Sequence, residues 1–247
     1  MKNMKGALAV SFLSILLCWC GCGKTGFDCL NSTGEITTEE RTISPFDSIE
    51  INDYVNVFIS HDSVTKVTVQ AGKNILPGIS TEVKNRQLVI HNNNTCNWIR
   101  SYNNPINVYI STPDLWKIYY NSSGNLTSLN KLSYDSLMLE VWGGCGTIDL
   151  DVDIFQGYFY LQLGTADLHL RGACDIASLS SGDFGLLDAR NLHARFLFIS
   201  SRSSNNCYVY ADQELTATIE SIGDIYYTGN PKKITTILNG TGKVIPF

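Results

Sequence analysis

Three carboxylates at alternate positions, Asp149, Asp151 and Asp153, form the densest acidic cluster in the body of the chain. In an extended strand, alternate side chains point to one face. Carboxylates arranged this way can hold a hard cation such as Ca²⁺ through oxygen ligands. Paired at the right separation, they can also do the acid–base work of a carbohydrate-active enzyme. The intervening Leu150 and Val152 give a simpler reading, an acidic solvated face over an apolar inner one. The simpler reading is preferred, because no other chemistry accompanies the row. His61, His91, His169 and His193 are scattered, and no Cys-x-x-Cys pair exists, so no metal site is assigned. Arg190 and Arg195 flank His193 without a nucleophile motif. The sequence carries no Gly-x-Ser-x-Gly, no P-loop and no dinucleotide fingerprint. An enzyme is not expected, and neither is a cofactor.

Binding is the better supported chemistry. The stretch from Asn92 to Asn104 is the longest without periodicity in the body, and it mixes Trp98, Arg100 and Tyr102 with many amides. Aperiodic loops of this composition are where ligand contacts concentrate. A loop that merely caps the fold, tied by a Cys29–Cys96 disulfide, is the alternative. Tyrosines recur through the second half, and adjacent pairs such as Tyr119-Tyr120 and Tyr226-Tyr227 must split between the two faces of a strand. The outward members can stack on a glycan or contact a protein. The formal charge of −5, with no cluster of Lys or Arg, argues against a nucleic-acid partner. A homo-oligomer with a structural role in the envelope is a second possibility.

The elements that would position these residues are strands. Val, Ile, Thr and Tyr dominate, and apolar residues alternate with polar ones. Turn glycines recur at 124, 146, 164, 182, 223 and 242, and Asn205 fills the widest gap. The steps are then 22, 18, 18, 23, 18 and 19 residues, the signature of a repeat architecture. Glycine and asparagine are the residues most tolerant of positive φ, so these positions are expected to be positive-φ corners. The spacing predicts an all-β chain, a single-stranded right-handed parallel β-helix with short irregular rungs and a less regular N-terminal part. Expected inward residues are Leu137, Leu139, Ile148, Leu150, Leu161, Leu163, Leu168, Leu170, Phe196, Phe198, Ile234 and Ile237. Asn56-Val57-Phe58-Ile59-Ser60 recurs as Asn107-Val108-Tyr109-Ile110-Ser111, which extends the same architecture into the first half.

The N-terminus reads as an export signal. Lys2 and Lys5 precede an apolar run from Ala7 to Leu17, too short to span a bilayer. The run ends in Cys18-Trp19-Cys20-Gly21-Cys22. This resembles a bacterial lipoprotein signal, with Cys22 after Gly21 as the expected lipidation site and Cys20 as the alternative. Residues 1–21 are then a signal peptide, 22–40 a linker and 41–247 the folded domain. The protein is expected to be exported and lipid-anchored to the outer membrane, on the surface or the periplasmic face. Of the remaining cysteines, Cys145, Cys174 and Cys207 are expected to pack as small buried hydrophobes.

Thr38-Glu39-Glu40-Arg41, Ser44-Pro45-Phe46-Asp47-Ser48-Ile49, Asn56-Val57-Phe58-Ile59, the Gly78-to-Ile90 stretch and the recurring Ser-Gly-Asp turns together resemble a known family. It is the "putative auto-transporter adhesin, head GIN domain" family, and the resemblance covers roughly residues 38 to 245. It implies an exported, often lipid-anchored β-helical protein with no established activity.

Overall fold

A computed structural model describes residues 32–95 and 105–247. The expected signal peptide and Cys20, Cys22, Cys29, Cys96, Trp98, Arg100 and Tyr102 lie outside the described residues. Among the described residues, no helix is long and apolar enough to cross a membrane.

The second half of the chain is a β-solenoid. Its body is five long strands, β10 (Leu132–Gly144), β11 (Thr147–Leu161), β12 (Asp167–Ser181), β13 (Leu187–Ser201) and β14 (Cys207–Ile219), each parallel to the next. Alternation sends every second residue inward, and the parallel register stacks like on like. Leu126, Ile148, Leu168, Leu187, Cys207 and Ile225 form one such column, and Leu139, Phe159, Leu179, Ile199 and Ala217 another. All of these are buried. Each large side chain so buried contributes about 1.5–3 kcal/mol, which no single rung could collect alone.

The first half is ordered differently from the chain. It comprises β1 (Ile36–Arg41), β2 (Ser48–Asp53), β3 (Asn56–His61), β4 (Lys66–Gly72), β5 (Ile79–Lys84), β6 (Gln87–Asn92), β7 (Asn107–Thr112), β8 (Lys117–Ser122) and β9 (Leu126–Ser128). The rung β2–β3 is inserted between the rung β6–β7 and the rung β8–β9, parallel to both. The two copies of the recurring pentapeptide pair in register, Asn56 on Asn107 through Ser60 on Ser111, with the rings of Phe58 and Tyr109 stacked at 5.0 Å. Beyond them the ladder turns antiparallel: β5 closes one sheet on β6, while β4 and then β1 close the other on β7. Residues 36–40, read as linker, thus belong to the folded domain. At the far end β15 (Ile225–Thr228), β16 (Lys233–Leu238) and β17 (Val244–Pro246) form the last rungs.

Several expectations are corrected. Leu163 is exposed in a turn, and Phe196 and Phe198 lie outside the core while Leu197 and Ile199 face in. The register there is fixed by Ala177 and Leu179 below, which stack on Leu197 and Ile199. Ile234 and Ile237 are 42% and 47% exposed; Ile237 faces out, and Ile234 points inward from a rung on which no described strand stacks. Cys174 and Cys207 are buried as expected, but Cys145 is exposed.

The turn glycines act by close approach. Of the seven turn positions only Gly164 has positive φ, at 107°. A Cβ at Gly124 would overlap the Val55 carbonyl, and one at Gly146 would overlap the Gly124 carbonyl and the Tyr120 hydroxyl. The corners therefore stack backbone on backbone. Asn205 is equivalent to Gly124 for another reason. Ser122 Oγ accepts from Gly124 N at 3.1 Å, and Ser203 Oγ accepts from Asn205 N at 2.9 Å, so both corners are the same hydroxyl-bridged turn.

Candidate functional site

The acidic row is divided by its neighbours. The register sets Asp149 beside His169 and Asp151 beside Arg171 on the next strand. The Arg171 guanidinium bonds Asp149 through Nη1 and lies 3.4 Å from Asp151 Oδ2 through Nε. A cation already occupies the space that an ion would take. Among the described residues, no group of three or more His, Cys, Asp or Glu side chains converges on a metal-sized site.

Asp153 escapes this neutralisation. Its partner on β10 is Ser133, and both border an open groove of about 610 Å³. Chain segments far apart in sequence build its walls. Asp47 and Arg86 come from the starts of β2 and β6, joined by an ion pair of 2.6 Å. Asp114 and Trp116 come from the turn between β7 and β8, and Tyr134 and Asp135 from the first half of β10. Thr112 Oγ1 pins the turn by accepting from Asp114 N at 3.3 Å and donating to Asp114 O at 2.9 Å. Met138 N donates to Trp116 O at 2.7 Å, fixing the backbone that carries the indole. The indole itself is 48% exposed at the rim. Tyr134 is held more firmly, its hydroxyl donating to Thr112 O at 3.4 Å. Burial, with the Asp114 carboxylate close by, pushes the Tyr134 phenol upward, so it stays neutral at any physiological pH.

The groove's electrostatics follow from its inventory. Four carboxylates face one guanidinium, which is already paired with Asp47. A ligand with anionic groups would be repelled, whereas hydroxyl and ammonium donors find acceptors. The exposed indole offers an apolar platform beside them.

A second hollow of about 440 Å³ lies against the outer face of the adjoining strands, bordered by Glu50, Asn52, Gln87, Tyr119, Asn121 and Trp142. Lys117 lies near one aromatic ring of each hollow. Its ammonium lies 5.7 Å from the Trp116 ring centroid and 4.1 Å from that of Tyr119, and it bonds the Tyr119 hydroxyl at 2.8 Å and Glu140 at 3.2 Å. Burial by itself would lower the Lys117 pKa, but the bonds to Tyr119 and Glu140 outweigh it and raise it. Lys117 therefore remains a cation that orders the aromatic rings around it. Of the Tyr119-Tyr120 pair, Tyr120 is buried and Tyr119 faces out, as alternation requires.

Apart from Asp153, the groove residues escaped sequence reasoning because five chain segments supply them. The one local signal was Pro113-Asp114-Leu115-Trp116, a turn that ends in an aromatic residue. Trp98, Arg100 and Tyr102 lie between β6 and β7, outside the described residues.

The chain is thus a parallel β-solenoid that carries an open groove where an exposed indole stands beside carboxylates. The chain is a member of the family described as "putative auto-transporter adhesin, head GIN domain", which matches residues 45–231. Similar solved structures share the fold. One is described as a "putative adhesin" from Bacteroides fragilis, with TM-score 0.77, 22% identity, and coverage of 86% of this chain and 97% of that one. A second "putative adhesin", from Parabacteroides distasonis, has TM-score 0.67 and 16% identity over 87% of this chain and 98% of its own. A third, also from Parabacteroides distasonis, is described as a "putative lipid binding protein", with TM-score 0.66 and 20% identity over 87% and 98%. No curated protein matches the chain.

Proposed function

We propose that this protein is a non-enzymatic binding protein of the cell envelope. It is anchored through a lipidated Cys22, or Cys20, and exposes its solenoid to a glycan. The family supports an adhesin-like surface role, and the N-terminal signal supports export and anchoring. One observation carries the ligand class: the exposed Trp116 indole stands beside Asp114, Asp135 and Asp153 in one open groove. An apolar ring face flanked by hydroxyl acceptors suits a pyranose, whose two faces carry C–H groups and whose edge carries hydroxyls. The surplus of carboxylates selects neutral or amine-bearing sugars over acidic ones.

A glycan array probed with the full chain and with Trp116→Ala tests this reading. Neutral or amino-sugar glycans should bind the wild-type protein and lose binding in the variant, whose circular dichroism should be unchanged because the side chain is half exposed. Binding confined to sialylated or sulfated glycans, or binding indifferent to Trp116, would sink the reading. Complete absence of glycan binding would move the weight to an envelope-structural role.

A further inference from the structure

The two ends of the solenoid are finished differently. At the N-terminal end the inward residues are covered, with Val67 and Val69 at 0% exposure and Ile79 at 1%. The edge strands there carry charges, Glu39, Glu40 and Arg41 on β1 and Glu82 and Lys84 on β5. Such charges discourage further pairing. At the C-terminal end the core columns stop without a lid among the described residues. Leu215 is followed by Ile234, Ala217 by Thr236, Ile219 by Leu238. The members below are fully buried, while Ile234 and Leu238 are 42% and 55% exposed. Among the described residues, β16 pairs with β14 alone, so the other edge of its backbone has no strand partner there. A solenoid whose terminal repeat keeps an apolar outer surface needs a cap.

We propose that the cap is the same end of a second copy, joined by antiparallel pairing of β16 with β16 about a two-fold axis. An isologous contact of this kind brings each strand against itself reversed. Centring the axis on Thr236 keeps inward residues inward on both sides. It places Ile234 opposite Leu238 of the partner subunit, and Thr236 opposite Thr236 of the partner subunit, a favourable cross-strand pair. Lys233 then faces Asn239 of the partner subunit. The two Lys233 ammonium groups are separated by six ladder positions, about 20 Å along the strands. That exceeds the Debye length of about 8 Å at physiological ionic strength, so the basic end does not repel itself. Lys233 is in addition paired with Glu214 at 2.6 Å. On the opposite sheet Pro246 lacks an N–H, which leaves β16 to carry the pairing. One rung supplies fewer residues than the 20–30 a side of a standard interface, so the dimer is reversible rather than obligate. Head-to-tail stacking is disfavoured because the inward positions of the edge strand β1 are Thr37, Glu39 and Arg41, which register with Ala71, Val69 and Val67 and offer no apolar match for Ile234 and Leu238.

Cross-linking the full chain tests the register. In a Cys145→Ser background, Thr236→Cys should form a disulfide-linked dimer on a non-reducing gel, because directly opposed residues lie about 4.5–5.5 Å apart between Cα atoms, within disulfide reach. Val64→Cys, exposed at the other end of the molecule, should add no cross-link above the background. Sedimentation of the detergent-solubilised wild-type chain should show a monomer–dimer equilibrium, and Ile234→Lys/Leu238→Lys should abolish the dimer while leaving the melting temperature near that of the dissociated protein. A wild-type chain that stays monomeric, a cross-link at residue 64 in place of 236, or an open series of higher oligomers would each overturn the proposal.

Discussion

Gly146→Ala tests how the rungs stack. The methyl group would overlap the Gly124 carbonyl on the rung below and the hydroxyl of Tyr120. Neither can retreat freely. Tyr120 is 1% exposed, and its hydroxyl donates to Gly124 O at 2.5 Å. Burial pushes that phenol up to about 12, and the Gly146 amide bonds the same oxygen. Moving the corner costs about 1–3 kcal/mol as overpacking. Displacing the hydroxyl leaves a buried donor unmade, about 1–3 kcal/mol more. The combined loss of roughly 2–6 kcal/mol lowers the melting temperature by about 4–24 °C for a chain of this size. Tyr120→Phe alone should cost about 1 kcal/mol and remove the atom that the new methyl meets. Chemical denaturation of both single variants and the double variant then gives a cycle. The double variant should be at least about 1 kcal/mol more stable than the sum of the singles predicts. Strict additivity, or a neutral Gly146→Ala, would refute close approach as the reason for glycine at this corner.

Other outcomes follow from the same structure. Asn205→Gly should destabilise by about 1–2 kcal/mol, losing the bond from Asn205 Nδ2 to Phe184 O at 2.7 Å and adding chain entropy; a stabilised variant on thermal melts would restore the positive-φ reading. In folded protein at pH 8, iodoacetamide with peptide mapping should modify Cys145 and spare Cys174 and Cys207. Burial raises both hidden thiols, Cys174 to about 12, which leaves on the order of one thiolate in ten thousand at Cys174. Because the raised value keeps the neutral thiol, protection should persist from pH 7 to pH 9 and vanish only in denaturant. Arg171→Gln should cost about 1 kcal/mol at low ionic strength and less in molar salt, since the half-exposed guanidinium is screened; a loss independent of salt would mean that packing, not charge, holds Asp149 and Asp151.

The architecture was legible because a solenoid writes its period twice, in alternation along each strand and in the recurring corners. Leu137 to Leu139 and Ile148 to Leu150 read correctly because each run is long enough for one phase of the alternation to dominate. Phe196-Leu197-Phe198-Ile199 is apolar at every position, so alternation carries no phase there, and only the stack on Ala177 and Leu179 selects Leu197 and Ile199. Ile234 misled for a different reason. It points inward as its spacing requires, but inward is not buried on a rung with no successor. The insertion of β2–β3 between later strands left no mark in the sequence beyond the paired pentapeptides around Val57 and Val108. The groove was illegible on principle. Asp47, Arg86, Asp114 and Asp135 meet only because rungs distant in sequence are neighbours in the stack, and no linear spacing encodes that.

The most direct test is the position of a bound sugar. A crystal structure of the protein with its strongest-binding glycan should show a pyranose ring face on the Trp116 indole, with hydroxyl groups donating to Asp114, Asp135 or Asp153. A glycan seated elsewhere on the molecule, with the Trp116 groove empty, would contradict the account.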